Sequence, residues 1–372
     1  MRHFLRFLVG GFMALTSLAA VAQTVRVGVM LPLHDDNGDG KRMVEYYRGI
    51  LLACDQLKRE GVSIDLHAWN VPENADIRTT LLQDGADKCN LIFGPLYTPQ
   101  VEELGKFAKA YGAKVVIPFS INSDEVKTNP QVFQVYQSPE ELDKMAIAQL
   151  GYRFKDYHVV FVDCNDSTSR KGPFTVGLRT LLEGKKIDFN ITNLNTPEQS
   201  FVKAFRLDKP NLVVLNSGRS PELTKALDKL DEMTQKNQNL DVSLFGYNEW
   251  LMYEKQNLER YYKYNTFIPS YYYYNVVSSK TQQLEQEYRK WFHTSMNNNY
   301  LPRFAITGYD HAMFFVKGIA RQGADFKGTE PDKNALQTRL RFEPASKRGG
   351  MQNKNFILVH YNKNRSISTI AF

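Results

Sequence analysis

The chain has 372 residues, 42% of them hydrophobic and 12% aromatic, and a formal net charge of +7. That is the composition of an ordinary globular protein. The basic residues are scattered among acids, which excludes a nucleic-acid stripe and still suits an anionic envelope polymer or surface.

Arg2 and Arg6, the apolar run Phe7 to Ala19 and the small-x-small site Ala20-Val21-Ala22 read as an export signal, residues 1–22. The run is short for a membrane span, and no Cys stands at the cleavage point to take a lipid. The expected mature protein begins near Gln23, is soluble and periplasmic, and carries no lipid anchor. About 350 residues then remain, enough for two domains.

Val25 to Leu33 reads as a first strand ending in Pro32. After a polar loop, His34 to Lys41, comes a long helix with Met43, Val44, Tyr47, Ile50, Leu51, Cys54 and Leu57 on one face, stopped by Gly61. Asp35 to Gly40 matches the front half of a calcium loop. Tyr46 stands where the bidentate Glu is required, so no metal site is expected. Ile64 to Trp69 reads as a strand, and Ile77 to Leu82 as a short helix. Cysteine pairing is open: Cys54 and Cys89 meet if helix and strand pack together, or Cys54, Cys89 and Cys164 are three buried thiols.

The stretch Leu91 to Ser120 is the most informative. Two apolar runs, Leu91-Ile92-Phe93 and Val115-Val116-Ile117, flank an amphipathic helix, so the strands are expected to be parallel and buried. Thr98 reads as the helix N-cap and Pro99 as its first residue. Val101, Leu104, Phe107, Ala108 and Tyr111 form the apolar face, and Gly112 stops the helix. Ligands bind at the carboxyl ends of such strands. Free N–H groups near Thr98 suit an anion; the alternative is that Thr98 only caps its helix.

Ile121 to Pro130 reads as a loop, and Val132 to Tyr136 as an extended crossing. A second alternating series follows. It comprises helix Pro139 to Leu150, strand Val159 to Val162, a helix through Leu178 and Leu182, strand Ile187 to Leu194 and helix Gln199 to Arg206. Strand Leu212 to Leu215, helix Pro221 to Met233 and strand Val242 to Phe245 complete it. The Tyr-dense stretch Tyr261 to Asn275 reads as a second extended crossing. Helices near Lys280 to Met296 and from Thr307, and strands Met351 to His360 and Ser366 to Ile370, finish the chain.

The expected fold is α/β, with two Rossmann-like lobes of parallel sheet joined by a multi-strand hinge. The first lobe is assigned 23–134 plus 276–340, the second 135–275 plus 341–372. His34, His67, His158, His293, His311 and His360 are dispersed, and no H-E-x-x-H, G-x-S-x-G or phosphate-loop motif is present. No enzyme activity and no cofactor are expected.

Several segments together carry a family resemblance. Val27 to Leu33, Ile92 to Leu96, Ile117 to Ser120, Ser217 to Glu222, Phe245 to Glu249 and Thr307 to Asp310 resemble, in order and spacing, the signatures of type 1 periplasmic binding proteins of the leucine/isoleucine/valine-binding group. The resemblance implies a small ligand held between two closing lobes, with an ABC permease as partner. It implies that Thr98, Ser120 and Asn122 take a ligand carboxylate and that Glu249 takes an ammonium. The full candidate set is Leu96, Tyr97, Thr98, Ser120 and Asn122 from the first lobe, with Ser169, Asn216, Ser217 and Glu249 from the second.

Two departures fall in the second lobe. Ser167 to Gly172 replaces a Tyr-Gly pair, and Asn216 and Ser217 replace an aromatic before Gly218. Arg170, Lys171 and Arg219 there suit a more polar or anionic ligand than a free amino acid. Gly94 to Leu104 also resembles the binding-protein-like domain of outer-membrane lipoproteins that activate peptidoglycan synthases, which makes a synthase the alternative partner.

Overall fold

The computed structural model describes residues 24–119 and 123–372. The expected export signal, residues 1–22, lies outside them. The elements in chain order are β1 (Val25–Leu31), α1 (Gly38–Arg59), β2 (Ile64–Asn70), α2 (Ile77–Leu81), β3 (Leu91–Phe93), α3 (Val101–Tyr111), β4 (Lys114–Ile117), α4 (Glu125–Thr128) and β5 (Val132–Gln134). Then come α5 (Pro139–Arg153), β6 (His158–Asp163), α6 (Gly172–Gly184), β7 (Phe189–Asn193), α7 (Glu198–Phe201), β8 (Asn211–Leu215), α8 (Ser220–Lys236), β9 (Val242–Phe245), α9 (Glu254–Lys263) and β10 (Phe267–Ser270). Helices α10 (Ser279–Phe292) and α11 (Phe304–Gln322) precede β11 (Phe342–Pro344), β12 (Met351–Asn353), β13 (Ile357–Tyr361) and β14 (Ile367–Ala371).

The strands form two seven-stranded sheets, ordered β11-β12-β5-β4-β3-β1-β2 and β14-β13-β10-β9-β8-β6-β7. Within each, the strands of the alternating series run parallel in the same doubly wound order. The late additions β11, β13 and β14 pair antiparallel. Parallel strands covered on both faces must be apolar throughout. β3 and β8 accordingly bury every residue. In β3, Leu91 and Phe93 enter the core beneath α1 and α11, while Ile92 enters the opposite core with Leu104 and Ala108 of α3. Helix α8 buries Leu223, Ala226, Leu227, Leu230 and Met233, the three- and four-residue spacing of one apolar stripe. Each fully buried Leu or Met side chain contributes on the order of 1.5–3 kcal/mol.

Cys54 and Cys89 belong to cores on opposite faces of the first sheet, and Cys164 to the second lobe. All three are buried free thiols, so the helix–strand pairing does not form.

Four expectations are corrected. Val132 to Gln134 is a strand inside the first sheet, and only the residues after it cross between lobes. Tyr261 and Tyr262 are helical, because α9 runs to Lys263 before β10 starts. The segment Gln199 to Arg206 is only one turn of α7 followed by a 3₁₀ turn. The apolar run Met351 to His360 is two strands. β12 pairs with β5 in the first sheet and β13 with β10 in the second. Residues 342–353 therefore sit in the first sheet, although 341–372 was assigned to the second lobe. A break of three residues between two β-rich segments leaves no mark in the hydrophobic pattern.

Three crossings join the sheets, after β5, after β10 and between β12 and β13. Asn353 Nδ2 donates to the Val135 carbonyl at 3.2 Å, and Gln137 Nε2 donates to the Asn355 carbonyl at 2.7 Å. The first and third crossings are thus laced together. Tyr273 N–H in the second crossing donates to the Gln337 carbonyl at 3.0 Å.

Candidate functional site

In each lobe the winding reverses once, between β1 and β3 and between β6 and β8. The loops leaving the carboxyl ends of those strands diverge there and open a crevice. Four loops leave those strand ends: 32–37 and 94–100 in the first lobe, 164–171 and 216–219 in the second.

In the first lobe Gly94 has φ +140°, and a Cβ there would lie 2.2 Å from the Met30 carbonyl oxygen. Only glycine lets β3 leave the sheet so close to β1. Leu96 then packs half-buried against the α1 core. Tyr97 donates its hydroxyl to Asp39 at 3.3 Å, and Asp39 is also paired with Arg42. Burial, and then the Asp39 charge, push the Tyr97 hydroxyl up to about 12. Asn37 caps α1 by accepting the Gly40 N–H at 2.8 Å. In the calcium-like segment Asn37 is thus engaged in capping and Asp39 in ion pairing, and no group of three metal-ligating side chains occurs among the described residues. Thr98 is not the cap of α3. It opens a 3₁₀ turn that precedes the helix, with Tyr97 at the cap position and no side-chain capping bond. Thr98 is exposed there. Ser120 and Asn122 lie outside the described residues.

In the second lobe the two loops are bound to each other. Asn216 Nδ2 donates to Asp163 at 2.8 Å while its Oδ1 accepts the Cys164 N–H at 2.7 Å. Ser169 Oγ donates to the Asn216 carbonyl at 2.5 Å and accepts the Lys171 N–H at 3.1 Å. Ser217, fully buried, donates to Asp166 at 2.7 Å. Thr168 donates to the same carboxylate from both backbone and side chain, and Arg219 Nη1 lies 3.4 Å away. Hydrogen bonds from Ser217 and then Thr168 hold the Asp166 carboxyl down at about 2. Ser169, Asn216 and Ser217 thus shape the loops from within. Ser217→Ala is expected to let the Asp166 pKa climb toward the ordinary carboxylate range, a shift that carboxyl-carbon NMR titration would read. An unchanged titration would mean that Thr168 and Arg219 suffice.

Glu249 has a partner of its own. Lys171 Nζ stands 2.6 Å from Glu249 Oε1 and 4.5 Å from the centre of the Tyr247 ring. The ring is buried, held edge-on by Phe174 and Trp250, and its hydroxyl donates to the Leu215 carbonyl. A Cβ at Gly218 would meet Lys171 Cε at 3.0 Å and Glu249 Oε1 at 3.4 Å, so the glycine makes room for the pair. Asp143 of α5 borders it. Its carboxyl is pushed up by burial, lowered by Lys171 and raised again by Glu249. Sequence reasoning missed Asp143, Asp166 and Tyr247. Asp143 lies more than a hundred residues from Glu249, and no local spacing signals their meeting.

Two shallow surface cavities lie away from these loops. They sit at the amino ends of the sheets, around Asn90 and Lys114 and around His158 and Arg206.

No protein-family model and no curated protein matches the sequence. Solved structures do match in fold. A proposed branched-chain amino acid ABC transporter of Rhodospirillum rubrum is 12% identical, with a TM-score of 0.60 over 94% of this chain and 100% of the other. A branched-chain amino acid ABC transporter periplasmic ligand-binding protein of Burkholderia xenovorans is 13% identical, with a TM-score of 0.52 over 93% and 94%. An ABC transporter substrate-binding protein of Sphaerobacter thermophilus is 14% identical, with a TM-score of 0.51 over 94% and 97%.

Proposed function

From the type 1 periplasmic-binding-protein fold of this chain, we propose that it is an exported solute-binding protein of the periplasm. It captures a small polar solute, amino-acid-, peptide- or muropeptide-like, between its lobes and delivers it to an ABC permease or a sensor. The observation that carries this reading is the matched pair of switch-point crevices, one per lobe, in sheets joined by three short crossings. Tyr97 and Thr98 furnish the first-lobe wall, with Ser120 and Asn122 assigned to it from the sequence. Lys171, Arg219 and Glu249 furnish the second-lobe wall. Closure of such lobes is a hinge motion. Two of the solved structures similar in fold are themselves named as ABC transporter substrate- or ligand-binding proteins and the third as an ABC transporter, which supports the same role. Binding rather than catalysis is the activity proposed.

Native mass spectrometry of protein purified from its own periplasm, with thermal-shift screening against amino acids, carboxylates, short peptides and muropeptides, tests it. A solute at a hundred times its Kd is expected to add about 2.7 kcal/mol of stability. That is a rise of several degrees in melting temperature. Protein that co-purifies empty and is stabilised by no solute would sink the reading.

A further inference from the structure

A carboxylate beside the face of a buried aromatic ring is a recognition site for an ammonium group. Glu249 and Tyr247 build one at the carboxyl ends of the second-lobe strands, and the chain's own Lys171 fills it. Three features fix the lysine there. Tyr247 cannot turn, because its hydroxyl and both neighbouring rings hold it. Gly218 leaves the space that the lysine stem takes, since a Cβ there would meet Lys171 Cε at 3.0 Å. The Lys171 side chain is only 20% exposed, whereas Glu249 is 41% exposed.

We infer that Lys171 is a specificity-determining residue that occupies this ammonium site and so rejects solutes bearing a free α-ammonium. The solute carried presents a non-ammonium end, a carboxylate, hydroxyl or acylated amine, to the second lobe. This inference rests on the solute-binding reading and narrows it away from free amino acids. An incoming ammonium would have to lift Lys171 off both the carboxylate and the ring, and a second cation beside an anchored one meets like-charge repulsion.

The test is chemical rescue. Lys171→Ala removes three methylenes and the ammonium, a void that n-propylammonium matches. At about 0.1 M, n-propylammonium chloride is expected to raise the melting temperature of Lys171→Ala by roughly 3 °C over equal sodium chloride, as a ligand with a Kd near 10 mM would. Wild type and Lys171→Met, which keeps the site filled, are expected to show no such rise. Lys171→Ala/Glu249→Gln is expected to lose it. Lys171→Ala with Glu249 intact is expected to gain α-amino acids that wild type ignores. If Lys171→Ala is recovered unfolded, refolding that depends on the amine reports the same site.

Equal amine shifts in wild type and Lys171→Ala, or tight α-amino acid binding by wild type, would overturn the inference. The second result would leave the solute-binding reading standing. Amine rescue in a protein that binds no solute would remove that reading and leave the ammonium site.

Discussion

Asp310→Ala is expected to cost about 4 kcal/mol, a fall of roughly 10 °C in melting temperature by calorimetry. Asp310 is fully buried on α11 and accepts the backbone N–H groups of Leu336, Gln337 and Thr338, each at 2.8 Å. Removing the carboxyl strands three buried donors at once. The loss extends to the hinge. Gln337 accepts the Arg303 N–H through its side chain at 2.8 Å, and its carbonyl receives the Tyr273 N–H of the second crossing. Hydrogen exchange at 336–338 and at Tyr273 is expected to quicken together. Protection that survives in the variant would mean the crossing stands without Asp310.

Asp310 also makes a pH prediction with its neighbour. Burial, with a smaller push from the Asp332 charge, raises the Asp310 carboxyl to about 7 against three backbone donors that lower it. Burial pushes His311 down to about 3; its Nδ1 meets the Tyr46 hydroxyl at 2.9 Å and its Nε2 has no partner. Between roughly pH 4 and 6.5 the folded chain holds a proton on Asp310 and none on His311. The unfolded chain does the reverse, so the two contributions to the pH dependence of stability cancel.

Single substitutions unmask opposite slopes of about 1.4 kcal/mol per pH unit relative to wild type. In Asp310→Asn the remaining His311, whose folded pKa is depressed, contributes stability above about pH 6.5 that is lost as pH falls. In His311→Phe the remaining Asp310, whose folded pKa is raised, contributes stability below about pH 4 that is lost as pH rises through 7. Parallel pH profiles for all three proteins would refute this.

Gly308→Ala is the second large effect, expected at about 3 kcal/mol. A Cβ at Gly308 would lie 2.0 Å from the Tyr46 carbonyl oxygen, and one at Gly49 would lie 1.9 Å from that of Ala305. Both obstacles are backbone, so α1 and α11 must part and open the core around Tyr46, Phe93 and Phe315. Because either methyl opens the same gap, Gly49→Ala added to Gly308→Ala is expected to cost well under the sum. Gly184→Ala at the end of α6, where a Cβ meets nothing within 4 Å, is expected to be neutral or stabilising by up to ~1 kcal/mol. Additive losses at Gly49 and Gly308, measured by denaturant unfolding, would count against a shared contact.

The chain's own residues determined the fold class, because buried parallel strands and one-faced helices write their periods into the sequence. Leu91 to Phe93, the α3 face from Val101 through Leu104 to Ala108 and the Gly112 stop, at φ +72°, stand in the structure as the pattern predicts, whereas Tyr111 at the end of that face is exposed. The carboxyl-end loops were legible for the same reason, since chain order fixes where each strand stops. Tertiary structure alone decided what those loops do. Ser169, Asn216 and Ser217 read as ligand contacts but bond to Asp163, Asp166 and neighbouring backbone, partners that only folding brings near. Glu249 is expected from the resemblance to take a ligand ammonium, yet Lys171, from a loop seventy-eight positions earlier, already neutralises it over the Tyr247 ring. Periodicity records which face of an element is buried. It does not record which polar groups meet across the gap between two loops, and that meeting sets the chemistry of this cleft.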